Sequence, residues 1–189
     1  KLGLVLLFLC SAFDCGAKIT LPKLLADGMV LQRECPVKIW GKSDVGEKVA
    51  LKFRGNTFRT VADEKGCWMI ELPAWKAGGP YDMQINEVTL HNILIGDVFL
   101  CSGQSNMELL VSRIMDKFAE AVNSYENPMI HYIKVLYCYD FKMPQTDTKQ
   151  AAWVPLTKDN VMNYSALCYF FAKLLYQQTG VPVGIVNSS

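Results

Sequence analysis

The feature that most constrains this fold is a change of hydrophobic period near residue 96. Up to that point, seven short runs alternate apolar with polar residues: GMVLQR, PVKIWG, EKVALKFR, NTFRTVA, CWMIEL, YDMQIN and EVTLHNIL. Turn-forming clusters separate them, at Ser43-Asp44, Gly55-Asn56, Asp63-Glu64-Lys65-Gly66 and Gly78-Gly79-Pro80. A period of two puts every second side chain on one face, so each run reads as a half-buried strand. Short strands at this spacing, with almost no helical period, predict a small antiparallel β-sandwich over residues 18–95. Gly55-Asn56 is expected at the centre of a tight hairpin, because glycine tolerates positive φ and asparagine follows closely.

From residue 97 the pattern lengthens. The apolar run Val98 to Cys101 stops at Ser102-Gly103-Gln104-Ser105-Asn106. Leu110, Ile114, Phe118 and Val122 then fall four apart, with Arg113, Asp116, Lys117 and Glu120 elsewhere on the wheel, which predicts an amphipathic helix. HYIKVLY, at 131–137, is a candidate strand, and residues 142–160 read as a long polar loop. NYSALCYFFAKLLYQQTG predicts a deeply packed helix, with Asn163 as N-cap, Gly180 just past the C-cap and Pro182 forbidding continuation. VPVGIVNSS reads as a buried strand. Strands alternating with helices imply parallel pairing, so residues 96–189 are expected to start an α/β domain. Three strands are few for a doubly wound sheet. The chain also has no initiating Met and ends where a strand should feed a loop and helix, so this domain is read as incomplete at its C-terminus.

Charge and cysteine usage narrow the partners. With 189 residues, 51% of them hydrophobic, there is material for a sizeable core. A net charge of +1 leaves no basic footprint for nucleic acid and nothing that asks for membrane headgroups. The first 17 residues, KLGLVLLFLCSAFDCGA, have the pattern of a secretory signal peptide with cleavage after Ala17. Its apolar run is too short to span a bilayer, which takes roughly 20 residues. The mature protein is therefore expected to be secreted, periplasmic or extracellular, with no membrane attachment after cleavage. Five cysteines remain (Cys35, Cys67, Cys101, Cys138 and Cys168), scattered in apolar runs rather than set out as a disulfide framework. No Cys or His spacing suggests a metal site.

The chemistry-bearing stretch is GDVFLCSGQSNMELL, residues 96–110. In open α/β sheets ligands bind outside the carboxyl ends of the strands, and Ser102 to Asn106 occupy that place. A serine there is exposed, with helix N-terminal N–H groups pointing into the same space and able to hold an oxyanion. Gly103 permits the sharp turn. Met107 stands where a Gly-x-Ser-x-Gly elbow would need its second glycine, and one glycine without a following lysine is not a phosphate-binding loop. Spacing alone leaves two roles open for Ser102 and Ser105: capping the helix, or nucleophilic attack.

GDVFLCSGQSNMEL closely resembles the first conserved block of the sialate O-acetylesterase group within the SGNH hydrolase superfamily. LPKLLADGMVLQRECPVKIWGKSDVGEKV, GCWMIELPAWKAGGPYDMQIN and VPVGIVNSS are similar to segments of bacterial members, in which a β domain precedes the hydrolase domain. The resemblance runs from Ile19 to Ser189 and implies an SGNH-type α/β/α hydrolase domain over 96–189. It makes Ser105 the nucleophile on an acetylated sugar, typically O-acetylated sialic acid, with the Ser105 backbone N–H donating to the oxyanion. A histidine oriented by an aspartate takes the proton, and no metal or organic cofactor is needed. Gln104 and Asn106 are candidates for binding substrate hydroxyls or for bracing the turn.

Departures from the family pattern matter as much. The glycine-rich continuation after the VNSS-like segment, the later polar oxyanion block and the Asp-x-x-His block are all missing. The two histidines, His91 and His131, have Val88 and Pro128 three residues before them. The 189 residues are therefore expected to carry the nucleophile without its base and to be inactive by themselves. Asp97 is read as a strand-end residue rather than the triad aspartate. Trp40 and Trp68 alternate as core residues would, although a sugar-stacking role for these and Trp75 is open. Asp140, Gln145 and Asp147 lie where a loop could line a cleft. The rival readings are a non-catalytic carbohydrate-binding protein and an acetyl esterase acting on plant polysaccharide.

Overall fold

The computed structural model describes residues 18–136, 138, 140–148 and 152–189. The leader expected over 1–17 lies outside the described residues. Ten strands and three α-helices follow in order. The strands are β1 (Val30–Gln32), β2 (Val37–Lys42), β3 (Lys48–Phe53), β4 (Asn56–Val61), β5 (Cys67–Leu72), β6 (Gly78–Ile85), β7 (Val88–Ser102), β8 (Asn127–Lys134), β9 (Val154–Leu156) and β10 (Val183–Ser188). The helices are α1 (Ser105–Glu108), α2 (Met115–Asn123) and α3 (Ala166–Thr179). No described helix is long and apolar enough to cross a membrane.

The chain is a mixed α/β structure dominated by one sheet of eight strands. Its order is β4-β3-β6-β7-β10-β8-β9, with β1 also paired to β7, and β2 and β5 form a second, small sheet. The pivot is β7, whose 15 residues run antiparallel to β6 in the first part and parallel to β10 in the last. The division expected at 95/96 falls inside this strand. Ile93, Leu94 and Ile95 are almost wholly buried, so both faces of the strand are covered where the two halves meet. Antiparallel pairing fits most of the first half, but β1 lies parallel to β7 through Val30↔Leu94 to Gln32↔Gly96. The small sheet lays Ile39, Trp68, Ile70 and Leu72 into the same apolar cluster as Leu51, Phe53, Ile85 and Ile93.

Local expectations shift by a residue or two where long-range bonds intervene. The β3–β4 hairpin turns on Arg54 and Gly55, both at positive φ (48° and 76°), and Asn56 already pairs with Phe53. The Asn56 amide donates to Arg54 O at 3.0 Å, which supports the left-handed pair from outside the turn. The N-cap of α3 is Ser165, whose hydroxyl accepts from Cys168 N at 3.4 Å, rather than Asn163, which closes a preceding 3-10 turn. Gly180 follows the helix with φ 65°, as its left-handed C-cap position requires. The segment 142–160 is not all loop, since β9 pairs antiparallel with β8.

The helix expected from Leu110 to Val122 is broken into a 3-10 turn (Val111–Arg113) and α2. Leu110 is extended and bridges Ser165. Ala166 N donates to Leu109 O at 2.7 Å and Val111 N to Tyr164 O at 2.9 Å, so tertiary partners take bonds that a continuous helix would have made internally. A second apolar cluster gathers Val122, Ile130, Tyr132, Tyr164, Tyr169 and Ile185 under α3, with the Tyr132 and Tyr164 rings stacked at 4.3 Å. This cluster seats β10 between β7 and β8 and so fixes where their carboxyl ends meet.

Candidate functional site

Three parallel strands end together at the expected stretch. β10 runs beside β7 in the register Val183↔Asp97 to Ser188↔Ser102, and beside β8 to Asn187↔Lys134. The Ser102 hydroxyl donates to Ser188 O at 2.8 Å and ties the two strand ends. Gly103 then turns the chain with φ +151°, a region that side chains rarely adopt. Gln104, not a serine, occupies the N-cap position of α1, and no side chain caps that helix. Its carbonyl accepts from Met107 N and Glu108 N at 2.9 and 3.0 Å. Capping is therefore not the job of Ser102 or Ser105. With only four residues, α1 is a single turn, a much smaller array of aligned peptide dipoles than a full helix.

Ser105 is exposed, and neither its hydroxyl nor its backbone N–H has a hydrogen-bond partner among the described residues. It faces a cleft of about 820 Å³. The turn contributes Gly103, Gln104, Ser105 and Glu108, and β10 contributes Ser188 and Ser189. Val135 and Leu136 after β8 and the segment Gln145 to Thr148 close one side, and Pro22, Leu24 and Trp40 another. Asn106 is exposed beside the turn and does not line the cleft, whereas Gln104 does. Asp140 lies back from the cleft, accepting from Lys142 N at 2.9 Å and from the Gln145 amide at 2.7 Å.

Sulfur and amide groups pack behind the turn. The Cys168 thiol meets Met107 Sδ at 3.4 Å, and the Asn187 amide donates to Cys168 Sγ at 3.6 Å. Ser189 Oγ donates to Asn187 Oδ1 at 2.8 Å. The proximity of the Cys101 and Cys168 thiols, with burial, pushes Cys101 up, while Cys101, Ser165 and Asn187 together pull Cys168 down. All five cysteines outside the first 17 residues are free thiols. Among the described residues, no group of three or more His, Cys, Asp or Glu side chains is placed to hold a metal ion.

Among the described residues, the titratable side chains lining the cleft are Glu108, Cys138 and Asp147, and no histidine is among them. His91 sits on the first part of β7, paired with Asp82 at 3.1 Å. His131 pairs with Gly184 on β10, four residues before Ser188, which puts it about 13 Å below the strand ends. It is wholly buried, with its ring nitrogens against the carbonyls of Gly28 and Pro128. Asp97 accepts from Arg33 Nε at 2.8 Å and is committed to that ion pair at the far end of the parallel segment.

His131 gives a testable pH dependence. Its two carbonyl contacts favour the charged ring, but burial outweighs them and holds the pKa below the ordinary 6.5. The unfolded chain therefore takes the proton first. The contribution is fully present above about pH 6.5 and is lost as pH falls towards the folded-state value. Urea unfolding between about pH 7 and 5.5 should show stability falling with pH, and His131→Gln should flatten that slope whatever its baseline. Equal slopes in the two proteins would refute the assignment.

Two parts of this cleft were not legible beforehand. Trp40 reads as core by alternation, yet it is 44% exposed and forms a wall. Glu108 carries no signal beyond its place in α1, since only the turn geometry points it into the cleft.

The fold matches that of a carbohydrate acetylesterase of known structure. The crystal structure of that enzyme, from Xanthomonas citri, superposes with a TM-score of 0.84 at 39% identity, over 90% of this chain and 40% of that one. The curated relatives are sialate O-acetylesterases: the rat protein is 28% identical over 99% of this chain, and the human protein 28% over 100%. The chain spans about two fifths of the length of these relatives (39% and 40%). No protein-family model matches it. Along its whole length, then, the chain is sialate O-acetylesterase-like.

Proposed function

We propose that this chain carries the nucleophile turn of a serine esterase that removes acetyl groups from O-acetylated sugars, with Ser105 as the nucleophile. The observation that carries the reading is an exposed serine whose hydroxyl and N–H have no hydrogen-bond partner among the described residues, inside a large cleft at the carboxyl ends of parallel strands. Similarity to sialate O-acetylesterases and to a carbohydrate acetylesterase supports the substrate class, and O-acetylated sialic acid is the first candidate within it.

In this mechanism Ser105 Oγ bonds to the acetyl carbonyl carbon while its proton passes to a general base. The Ser105 N–H, free of other partners, donates to the oxygen as it becomes an oxyanion. The bond from that carbon to the sugar oxygen then breaks, and the departing oxygen takes the proton. Water repeats the sequence on the acetyl-enzyme and releases acetate. The base is neither His91 nor His131: the first lies in the antiparallel part of β7, and the second is walled in below the strand ends. The same reading takes the parallel part of the sheet as SGNH-type and residues 1–17 as an export leader, so the enzyme works outside the cytoplasm.

A fluorophosphonate probe tests the nucleophile directly. Incubated with the full-length protein, it should add covalently to Ser105, read as a mass shift on the peptide that contains it. A label on Ser102, or no label on either, would count against the assignment.

A further inference from the structure

Trp40 breaks the pattern of its own strand. β2 alternates, with Ile39 and Gly41 buried and Lys38, Trp40 and Lys42 turned outward. The partner strand does the same, and across the pair Trp40 faces Met69, both about half exposed (44% and 52%). Trp68 is on the opposite face, seated in the core against Gly41. Lying between two lysines on the solvent face, the indole is partly covered and leaves much of its aromatic surface open.

The position of this indole is more specific than its exposure. Trp40 lines the Ser105 cleft and also a second cavity of about 600 Å³ on its other side. The two cavities share Pro22, Trp40, Thr146 and Asp147, so one groove runs from Ser105 across the indole. Its far wall is held in place: Asp147 accepts from Lys23 N at 3.1 Å and from Thr148 N at 2.8 Å. The second cavity offers Lys42 and Asp63. Asp63 Oδ1 is occupied by Lys65 N and Cys67 N, both at 2.8 Å, which leaves Oδ2 without a partner among the described residues. An acetyl ester fills a small part of such a groove, since a space of roughly 300–1,000 Å³ holds a whole small-molecule ligand.

We infer that Trp40 is the sugar-binding platform of this cleft: its indole stacks on a pyranose ring of the acetylated glycan while Ser105 addresses the acetyl group, and the chain of sugars continues over it towards Lys42 and Asp63. The inference deepens the esterase reading and rests on it for the identity of the ligand. A pyranose ring has an apolar face of axial C–H groups that suits an aromatic plane, with hydroxyls at its edge for the charged side chains.

Calorimetric titration of an O-acetylated oligosaccharide into the full-length protein carrying Ser105→Ala tests this without turnover. Adding Trp40→Ala should weaken binding by about tenfold, as truncation of a tryptophan anchor does, while Trp40→Phe should lose threefold or less. Lys38→Ala, on the same face but outside both cavities, controls for charge and fold and should bind as the parent does. Equal affinity in the parent and Trp40→Ala, or no measurable binding by the parent, overturns the inference. Failure of the nucleophile reading looks different, because Ser105→Ala protein would then still release acetate.

Discussion

Replacing Ser105 by alanine in the full-length protein should lower hydrolysis of 4-nitrophenyl acetate by about 10⁴–10⁶-fold, with the fold unchanged. The clean separation of chemistry from stability follows from the geometry. The Ser105 hydroxyl is exposed and bonds to nothing among the described residues, so its removal leaves no group unsatisfied. Melting should shift by no more than a surface substitution does, within about 0.5 kcal/mol. Ser102→Ala gives the opposite signature. It removes the 2.8 Å bond to Ser188 O that joins β7 to β10, costing about 1 kcal/mol, and keeps the nucleophile. The comparison must be between the two variants, because losing a triad member can leave residual rates of about 10³–10⁴ over water. Undiminished turnover in Ser105→Ala would sink the assignment.

Gly96→Ala should be strongly destabilising, because it has the shortest Cβ collision among the described glycines. A Cβ at Gly96 would collide with the carbonyl oxygen of Pro182 and come within 2.6 Å of its carbonyl carbon and 2.8 Å of its Cβ. Backbone cannot swing aside as a flexible side chain can. That same carbonyl accepts from Asp97 N at 2.9 Å where β10 joins β7, and Gly96 also pairs with Gln32 on β1. Relief of the clash therefore separates strands on which the parallel sheet depends. The expected loss is about 3 kcal/mol or more, from overpacking together with a broken ladder bond. It should appear as a lower urea midpoint at unchanged m. An unshifted midpoint would show that β7 and β10 do not approach as described.

Both predictions involve β7, and that strand also marks how far the sequence can be read. The seven alternating runs and the change of period near residue 96 are local properties, and most of the strands and α3 follow from them. Ser105 was likewise legible, because strand, glycine turn and serine are contiguous and the resemblance falls on those same residues. Less legible was where local units end when distant residues supply the hydrogen bonds. The stretch that starts at Leu110 looks helical by spacing, but Ala166 and Tyr164 take the backbone groups of Leu109 and Val111 on either side of it. Val88 to Ser102 look like two strands, one for each half, and become one because β1, β6 and β10 cover successive parts of it.

By itself, then, the sequence determined the type of most elements and narrowed the candidate serines to one strand-end turn, since periodicity and turn chemistry act over a few residues. Tertiary structure decided the rest of the cleft. It brought Trp40 from the outward face of a small sheet, Asp147 from a distant loop, and Ser188 from the end of β10 to one serine. It also withheld both histidines. Alternation records that a side chain points away from its neighbours' face, but not what lies across from it, and only packing of one sheet against the end of another turns an exposed tryptophan into the wall of a site.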